Sequence, residues 1–437
     1  MSISDNTCTF LPIKKLDGEC QVAGDKSISH RAIIFGSISK GITEISNFLP
    51  GLDCLSTIDC FRKMGVSIEV NNETNVKIYG VSLNGLKEPS DILNVGNSGT
   101  TIRLLTGLLS GTSFYSVMTG DASIRKRPMN RVTNPLTQMG AKIYGRDNNN
   151  LAPVTILGSK LNPISYQSPV ASAQIKSSIL LAGLWADGKT TVIEPAKSRD
   201  HTERMFLSFG GELINGDKST TITGDIPKLV GQKIEIPGDV SSAAFLMVAA
   251  SIVPNSEICI KNVGINPTRS GIIDALIAMG ANIQLSNQRY FGQEPVADII
   301  VKYSQLQGTV IEGDIIPRLI DEIPVLLIAA AVANGKTIIK DAKELRVKET
   351  DRIQVMYEQL MSLGVISTPK DDGIEIDGNQ IFDGGIIDTN HDHRIGMAFA
   401  VVACIAKAKI KILNYDAVKV SFPNFTEVMT LLGAKKE

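Results

Sequence analysis

The sequence predicts a mixed α/β protein of two domains, each built from three copies of one small module. Three observations carry that reading. The chain is 437 residues long, 47.0 kDa, which exceeds the length over which one hydrophobic core usually keeps growing. An apolar residue followed by glycine and a short extended run recurs six times along it. A second mark, where a helix pattern gives way to alternating β-branched residues, recurs between these copies.

The first mark appears as "KMGVSIEV" at Gly65, "QMGAKIYG" at Gly140, "SFGGELIN" at Gly210, "AMGANIQL" at Gly280, "SLGVIST" at Gly364 and "LLGAKK" at Gly433, at intervals of 75, 70, 70, 84 and 69 residues. The second appears as "SKGITEISN", "LSGTSFYSV", "ADGKTTVIE", "VPNSEICIKN", "ANGKTIIKD" and "AKAKIKILN". In these, glycine or asparagine is expected to supply a left-handed helix cap ahead of a strand. Each module then reads helix, strand, helix, strand, strand. One such junction occurs in any α/β protein, but six at a nearly constant period indicate a repeat. Modules of about 70 residues exceed the 20 to 45 of solenoid repeats, so packed modules grouped in two domains fit better.

The expected division places residues 24–237 in one domain and residues 1–23 with 238–437 in the other. The chain would cross near Gly24 and Pro237-Gly238, within "EIPGDV". The first strand, about Thr9 to Leu16, would pack with the C-terminal half.

Composition narrows the function. Lys plus Arg number 44 and Asp plus Glu 45, for a net charge of -1, which gives no general attraction to nucleic acid or an anionic membrane. Six cysteines form no Cys-x-x-Cys and no paired Cys/His spacing, arguing for free thiols in a reducing cytoplasm. "MSISDNTCTFLPIKK" lacks an apolar stretch behind a basic start, and runs such as "AAFLMVAASIV" are too short to span a bilayer.

Polar entrances precede apolar helices: "GDKSISHR", "GNSGTTIR", "ASAQIKSS", "GDVSSAAF", "LIDEIPV" and "HDHRIGM". A helix N-terminus presents unpaired N–H groups and partial positive charge, so such ends directed at one cleft would trap anions. Capping explains the Ser, Thr, Asn and Asp residues, and for "GDVSSAAF" it is the preferred reading. It does not explain Lys26, Arg31, Arg103, Lys176 and Arg394, because cations are unfavourable there unless an anion is bound. "GDKS" lacks the Gly-Lys-Ser/Thr and earlier glycine of a P-loop. "HDH" lacks a ligand-spaced partner, so capping and support of neighbouring side chains are preferred to metal binding. Two further cationic stretches are "DASIRKRPMNR" and "ELRVKETDR". In the second, Lys348 and Arg352 would share a helix face with Glu349 adjacent.

From "AGDKSISHR" through "GNSGTTIR", "GDASIRKRPM", "SAQIKSSILLAG", "SRDHTERM", "IDEIPVL", "ELRVKETDR" and "DHRIGMAFAV" to "SFPNF", the chain resembles the enolpyruvyl transferase family, in the branch that acts on shikimate 3-phosphate. The resemblance implies a two-domain inside-out α/β barrel of three βαβαββ units per domain. It implies shikimate 3-phosphate binding by Lys26, Ser27, Arg31, Ser172, Ala173, Gln174 and Arg199, with Asp321 and Lys348 facing the shikimate. Phosphoenolpyruvate falls to Lys26, Gly99, Arg127, Gln174, Arg352 and Arg394. Asp321 is the implied base for the shikimate 5-hydroxyl and Glu349 the carrier of the carbon proton, with Lys26 a second candidate for either task. No metal and no cofactor are called for. Small-molecule substrates, a monomer, and no nucleic-acid or membrane partner are expected.

Some family members place a lysine directly before the final Ser/Thr-Phe-Pro, where this chain has Val420 preceded by Lys419, so that role is not carried over. The sister enzymes acting on UDP-N-acetylglucosamine use a mobile cysteine loop, and "DASIRKRPMNR" holds no cysteine. A non-catalytic anion-binding protein would be expected to lack one of the two carboxylates, and both are present.

Overall fold

The computed structural model describes residues 6–224 and 228–437, so the first five residues of the N-terminal reading lie outside the described residues. Two compact units are present: Met1–Ala23, Pro237–Tyr290 and Pro295–Glu437 form the C-terminal unit, and Gly24–Ile236 with Phe291–Glu294 form the N-terminal unit.

The fold is mixed α/β, as expected from the repeat. Among the described residues the strands form six four-stranded sheets, and in each the same order recurs. In one, Ser165–Gln167 runs parallel to Gly188–Ile193, which pairs antiparallel with Ser219–Gly224, itself antiparallel to Leu213–Asn215. The module is therefore βαβαββ, with a lead strand ahead of the first helix that residue patterning does not reveal. Lead strands are short, down to Leu93–Asn94 and Val310–Ile311, and too brief for a period of two to stand out. The first module takes its lead strand from far along the chain, Lys233–Glu235 beside Lys40–Ser46. The sixth takes its last strand from the beginning, Thr7–Leu11 between Ile410–Leu413 and Lys435–Lys436.

That arrangement corrects the expected strand at Thr9 to Leu16. Two strands replace it, Thr7–Leu11 and Asp17–Gln21, in different sheets of the C-terminal unit. Pro12 has no N–H for a ladder, and the Ile13 N–H instead donates to the Cys404 carbonyl at 3.0 Å.

The six repeating glycines close six helices in one way. Gly65 N–H donates to Arg62 O and Val66 N–H to Phe61 O. The same pair of bonds, three and five residues back, recurs at Gly140, Gly210, Gly280, Gly364 and Gly433. All six have φ between +81° and +113°, a left-handed cap that costs a side-chain-bearing residue more than glycine. The second mark is less uniform. Gly41, Gly188, Asn255 and Gly335 are left-handed, but residues 406–409 contain no glycine or asparagine, and Gly111 is not left-handed. Gly111 is a packing glycine: a Cβ there would fall 2.1 Å from Cγ of Trp185.

The helices that open the modules lie inside and the sheets outside. In the C-terminal unit Val240–Ile252 and His393–Ala403 are buried at every residue. With Ile323–Val332, they pack on one another. A helix apolar on all sides must be enclosed, and each fully buried Leu, Ile or Phe contributes about 1.5–3 kcal/mol relative to exposure. The strands instead alternate buried and exposed residues, as in Lys40–Ser46 and Leu151–Leu157. The buried helices hold the polar ends that form the candidate site.

Candidate active site

In the N-terminal unit the first opening helix, Lys26–Ile38, is capped by Asp25, whose carboxylate accepts from the Ile28 N–H at 2.8 Å. Lys26 Nζ donates to Asp53 Oδ2 at 2.9 Å. Arg31, one turn further, is buried. Its Nε donates to Thr202 Oγ1 at 2.6 Å, Nη2 to Ser177 Oγ at 2.9 Å and Nη1 to the Ser27 carbonyl at 3.0 Å. Burial lowers its pKa to about 10, against the raising influence of Glu203 and Asp25, while nearby Arg199 lowers it further. Arg31 thus bonds Ser27 and feels the charge of Arg199, and two guanidinium groups that influence one another suit a doubly charged anion.

A second group gathers at the helix Gly99–Leu109, whose N-cap Ser98 accepts from the Thr101 N–H at 3.1 Å. Arg103 Nη1 donates to Gln174 Oε1 at 2.6 Å and its Nη2 to the Pro128 carbonyl at 3.2 Å, while Gln174 Nε2 donates to Thr100 Oγ1 at 3.2 Å. Arg127 crosses the start of this helix, since a Cβ on Gly99 would sit 2.7 Å from Arg127 Nη1 and 3.2 Å from Arg103 Nη1. A side chain at this position would require the end of the Arg127 side chain to shift. Ser172 and Ala173 open the helix that carries Gln174, with Ser172 at the N-cap and no side-chain cap bond.

Lys176 does not share the anion-facing role. It is 2% exposed, and its Nζ lies 2.9 Å from Glu194 Oε2 and 2.8 Å from Glu203 Oε1. The inference that a cation at a helix start needs a bound anion is corrected here: two of the protein's own carboxylates satisfy it.

In the C-terminal unit the predicted residues converge. Lys348 Nζ and Arg352 Nη1 each lie 3.2 Å from Asp321 Oδ1, and Arg394 Nη2 is 4.0 Å from Asp321 Oδ2. Arg352 Nη2 donates to Glu349 Oε2 at 2.5 Å and Nε to Asp392 Oδ2 at 2.8 Å. Burial pulls the Arg352 pKa down, but Asp392, Glu349 and Asp321 outweigh it and leave it above the ordinary value. Arg394 Nη1 donates to the Asp321 carbonyl at 3.0 Å and lies 3.7 Å from Glu322. Lys348, Glu349 and Arg352 do not share a helix face, however. A 3-10 turn ends at Val347 and the helix Arg352–Ser362 begins only at Arg352, capped by Asp351. Extended backbone at Lys348 delivers the three side chains together instead.

Asp392, in the "HDH" stretch, is a cap: it accepts from the Arg394 N–H at 2.9 Å while pairing with Arg352. Asp53, Ser177, Thr202, Glu322 and Asp392 complete these clusters without having been singled out as site residues. Asp53, Glu322 and Asp392 carry a local signal, an acid at a helix start; Ser177 and Thr202 meet Arg31 through the fold. Lys419 pairs with Asp416 at 2.8 Å on the surface. No helix among the described residues is long and apolar enough to cross a membrane.

Each unit gathers cations suited to an anionic group, and in the C-terminal unit two carboxylates contact those cations, suited to proton transfer beside a bound phosphate or carboxylate. The sequence profile of the family described as EPSP synthase (3-phosphoshikimate 1-carboxyvinyltransferase) matches residues 11–429. The 3-phosphoshikimate 1-carboxyvinyltransferase of Desulforamulus reducens is 53% identical over 96% of this chain and 97% of its own length. That of Bacillus subtilis is 52% identical over 97% and 99%. An EPSP synthase structure from Acinetobacter baumannii superposes with a TM-score of 0.89 at 47% identity over 99% of both chains. The enolpyruvyl transferase NikO from Streptomyces tendae, at 16% identity and a TM-score of 0.81 over 99% of both chains, shares the fold. The chain belongs to the EPSP synthase family.

Proposed function

We propose that the protein transfers the enolpyruvyl group of phosphoenolpyruvate to the 5-hydroxyl of shikimate 3-phosphate, releasing phosphate, as a transferase of aromatic amino acid biosynthesis. The observation that carries this reading is the convergence of Lys348, Arg352 and Arg394 on Asp321, with Glu349 against Arg352. A non-catalytic anion binder has no use for two carboxylates inside its cationic site. Family membership supplies the substrates.

Lys26, Ser27, Arg31, Ser172, Ala173, Gln174 and Arg199 bind shikimate 3-phosphate, with Asp321 and Lys348 toward its ring. Lys26, Gly99, Arg127, Gln174, Arg352 and Arg394 bind phosphoenolpyruvate. Arginine suits the clamp, because its planar fork meets carboxylate and phosphate with two parallel bonds. Asp321 takes the 5-hydroxyl proton as the oxygen attacks C2 of phosphoenolpyruvate, and Glu349 protonates C3, giving a tetrahedral ketal. The ketal then expels phosphate, and Glu349 recovers a methyl proton to leave the enol ether. Lys26 is the alternative proton carrier. The protein works in the cytoplasm as a monomer. The crossings at Gly24 and Pro237-Gly238 serve as its hinge, with compaction on ligand binding expected in small-angle scattering.

The test is phosphate release by the pure protein without added metal. Release that requires both shikimate 3-phosphate and phosphoenolpyruvate supports the reading. Release with UDP-N-acetylglucosamine in place of shikimate 3-phosphate overturns the acceptor, and folded protein silent with both acceptors overturns the activity.

A further inference from the structure

The geometry points to Lys176, with Glu194 and Glu203, as a positioning device for the phosphate end of the shikimate 3-phosphate site. The inference rests on the proposed binding roles of Arg31 and Arg199. None of the three touches substrate on that reading, since all are buried, with 5% exposure or less.

Lys176 stands in the first turn of the helix Ala173–Gly183, where the helix dipole disfavours a cation. The interior there otherwise takes Ile175, Ile179 and Leu180. Stability does not account for the choice: replacing a buried ion cluster by apolar side chains is often neutral or favourable. The cluster is not fully satisfied either, because Glu194 Oε1 and Glu203 Oε2 accept no hydrogen bond.

What the cluster does is geometric. Glu194 follows the strand Gly188–Ile193, and Glu203 lies in the helix His201–Ser208. Lys176 Nζ bonds both and lies 3.5 Å from the Ser198 carbonyl. One ammonium thus fixes both ends of the segment 195–202 and its middle, and Arg199 follows Ser198 directly. The residues beside the cluster frame the other guanidinium. Ser177, next to Lys176, and Thr202, next to Glu203, both accept from Arg31 and bond each other at 2.5 Å. Loosening the ammonium therefore releases Arg31 and Arg199 together. The helix of Gly99 packs on the helix that carries Lys176, but Gln174 is held by Arg103 and Thr100 rather than by the cluster.

The expected result is a split in the kinetics. K176M strands two buried carboxylates, so the principal variant is K176M/E194Q/E203Q, which removes all three charges. Its KM for shikimate 3-phosphate should rise about tenfold while its KM for phosphoenolpyruvate stays within about twofold. Unphosphorylated shikimate, tried as the acceptor, should be used equally by variant and wild type. E194Q alone keeps the Lys176–Glu203 pair balanced and should show the same split to a smaller degree, which secures a reading if the triple variant does not fold. An unchanged KM for shikimate 3-phosphate in either folded variant, or an equal rise for both substrates, overturns the inference. R199A is the control: if it leaves that KM unchanged, the assignment of Arg199 has failed, whereas a raised KM in R199A beside unchanged cluster variants sinks the positioning role alone.

Discussion

Asp392 is the most informative single position in the C-terminal unit, because two opposed effects can be separated there. The fully buried carboxylate caps the helix His393–Ala403 and holds Arg352 by two bonds, Nε at 2.8 Å and Nη2 at 3.4 Å. Asp392→Ala loses the cap, about 1 kcal/mol, and leaves a buried arginine short of a partner, which costs about 3–5 kcal/mol when nothing else is near. Asp321 and Glu349 remain on Arg352, so a total near 4 kcal/mol is expected. Asp392→Asn is the sharper probe, since its amide oxygen can still cap the helix. Four carboxylates, Asp321, Glu322, Glu349 and Asp392, face three cations, Lys348, Arg352 and Arg394. Losing one negative charge makes the cluster more positive. Charge alone would then strengthen phosphoenolpyruvate binding, by up to about 1 kcal/mol where solvent screens it. Losing a charged hydrogen bond to Arg352 costs about 1.5–3 kcal/mol, so misplacement should win. The prediction is a KM for phosphoenolpyruvate raised at least roughly threefold and a lower urea midpoint, measured by phosphate release and circular dichroism. A lowered KM would refute the claim that Asp392 aims Arg352.

Arg127→Ala should keep the wild-type circular dichroism spectrum and raise the KM for phosphoenolpyruvate roughly thirtyfold or more, from the 2–5 kcal/mol that a truncated buried charge contact costs; an unfolded variant would remove the binding assignment. Gly99→Ala should raise the same KM and leave that for shikimate 3-phosphate unchanged, since the added methyl displaces the Arg127 guanidinium 2.7 Å away; equal KM values in variant and wild type would show that Arg127 yields without cost. His30 Nδ1 bonds Thr57 Oγ1 at 2.7 Å, which meets Thr101 Oγ1 at 2.7 Å, and burial, then Lys26 and Arg31, hold its pKa well below 6.5. Its neutral form therefore contributes stability that is complete above about pH 6.5 and falls by up to about 1.4 kcal/mol per unit as pH drops toward the depressed folded-state value. Urea midpoints of His30→Gln should decline less than wild type between pH 7.5 and 5, and parallel declines would show that His30 is not the titrating group.

What the sequence reveals of this fold is what neighbours along the chain decide. The cap at Asp25 and the six glycine-terminated helices need only local backbone geometry, so they are legible. The lead strands are not, because two to five residues form a strand only when a partner presents its edge, and for Lys233–Glu235 that edge is Lys40–Ser46, far back along the chain. The site follows the same division. Cations at helix starts stand out as violations of a local rule, but whether a ligand or the protein answers the violation is a long-range matter. For Lys176 the answer is Glu194 and Glu203, 18 and 27 residues on. For Lys348 and Arg352 the convergence is right and the assumed helix wrong, because Asp351 starts a new helix between them.

The two kinds of cation can be told apart by the exposure of their partners. The acids on Lys176 are 4% and 3% exposed at the side chain, and no solute can replace them. Arg352 has one such acid, Asp392, on its inner edge, and on its outer edge Glu349, whose side chain is 23% exposed. An incoming carboxylate or phosphate can compete with Glu349 for that edge and cannot compete with Asp392. On the proposed assignment, binding phosphoenolpyruvate thus moves the Glu349 carboxylate off the guanidinium and frees it to take up from solvent the proton that it delivers to C3. Before the substrate arrives, the same contact sets a further negative charge, beside Asp321 and Asp392, against Lys348, Arg352 and Arg394, which lowers the repulsion among these cations in the free protein.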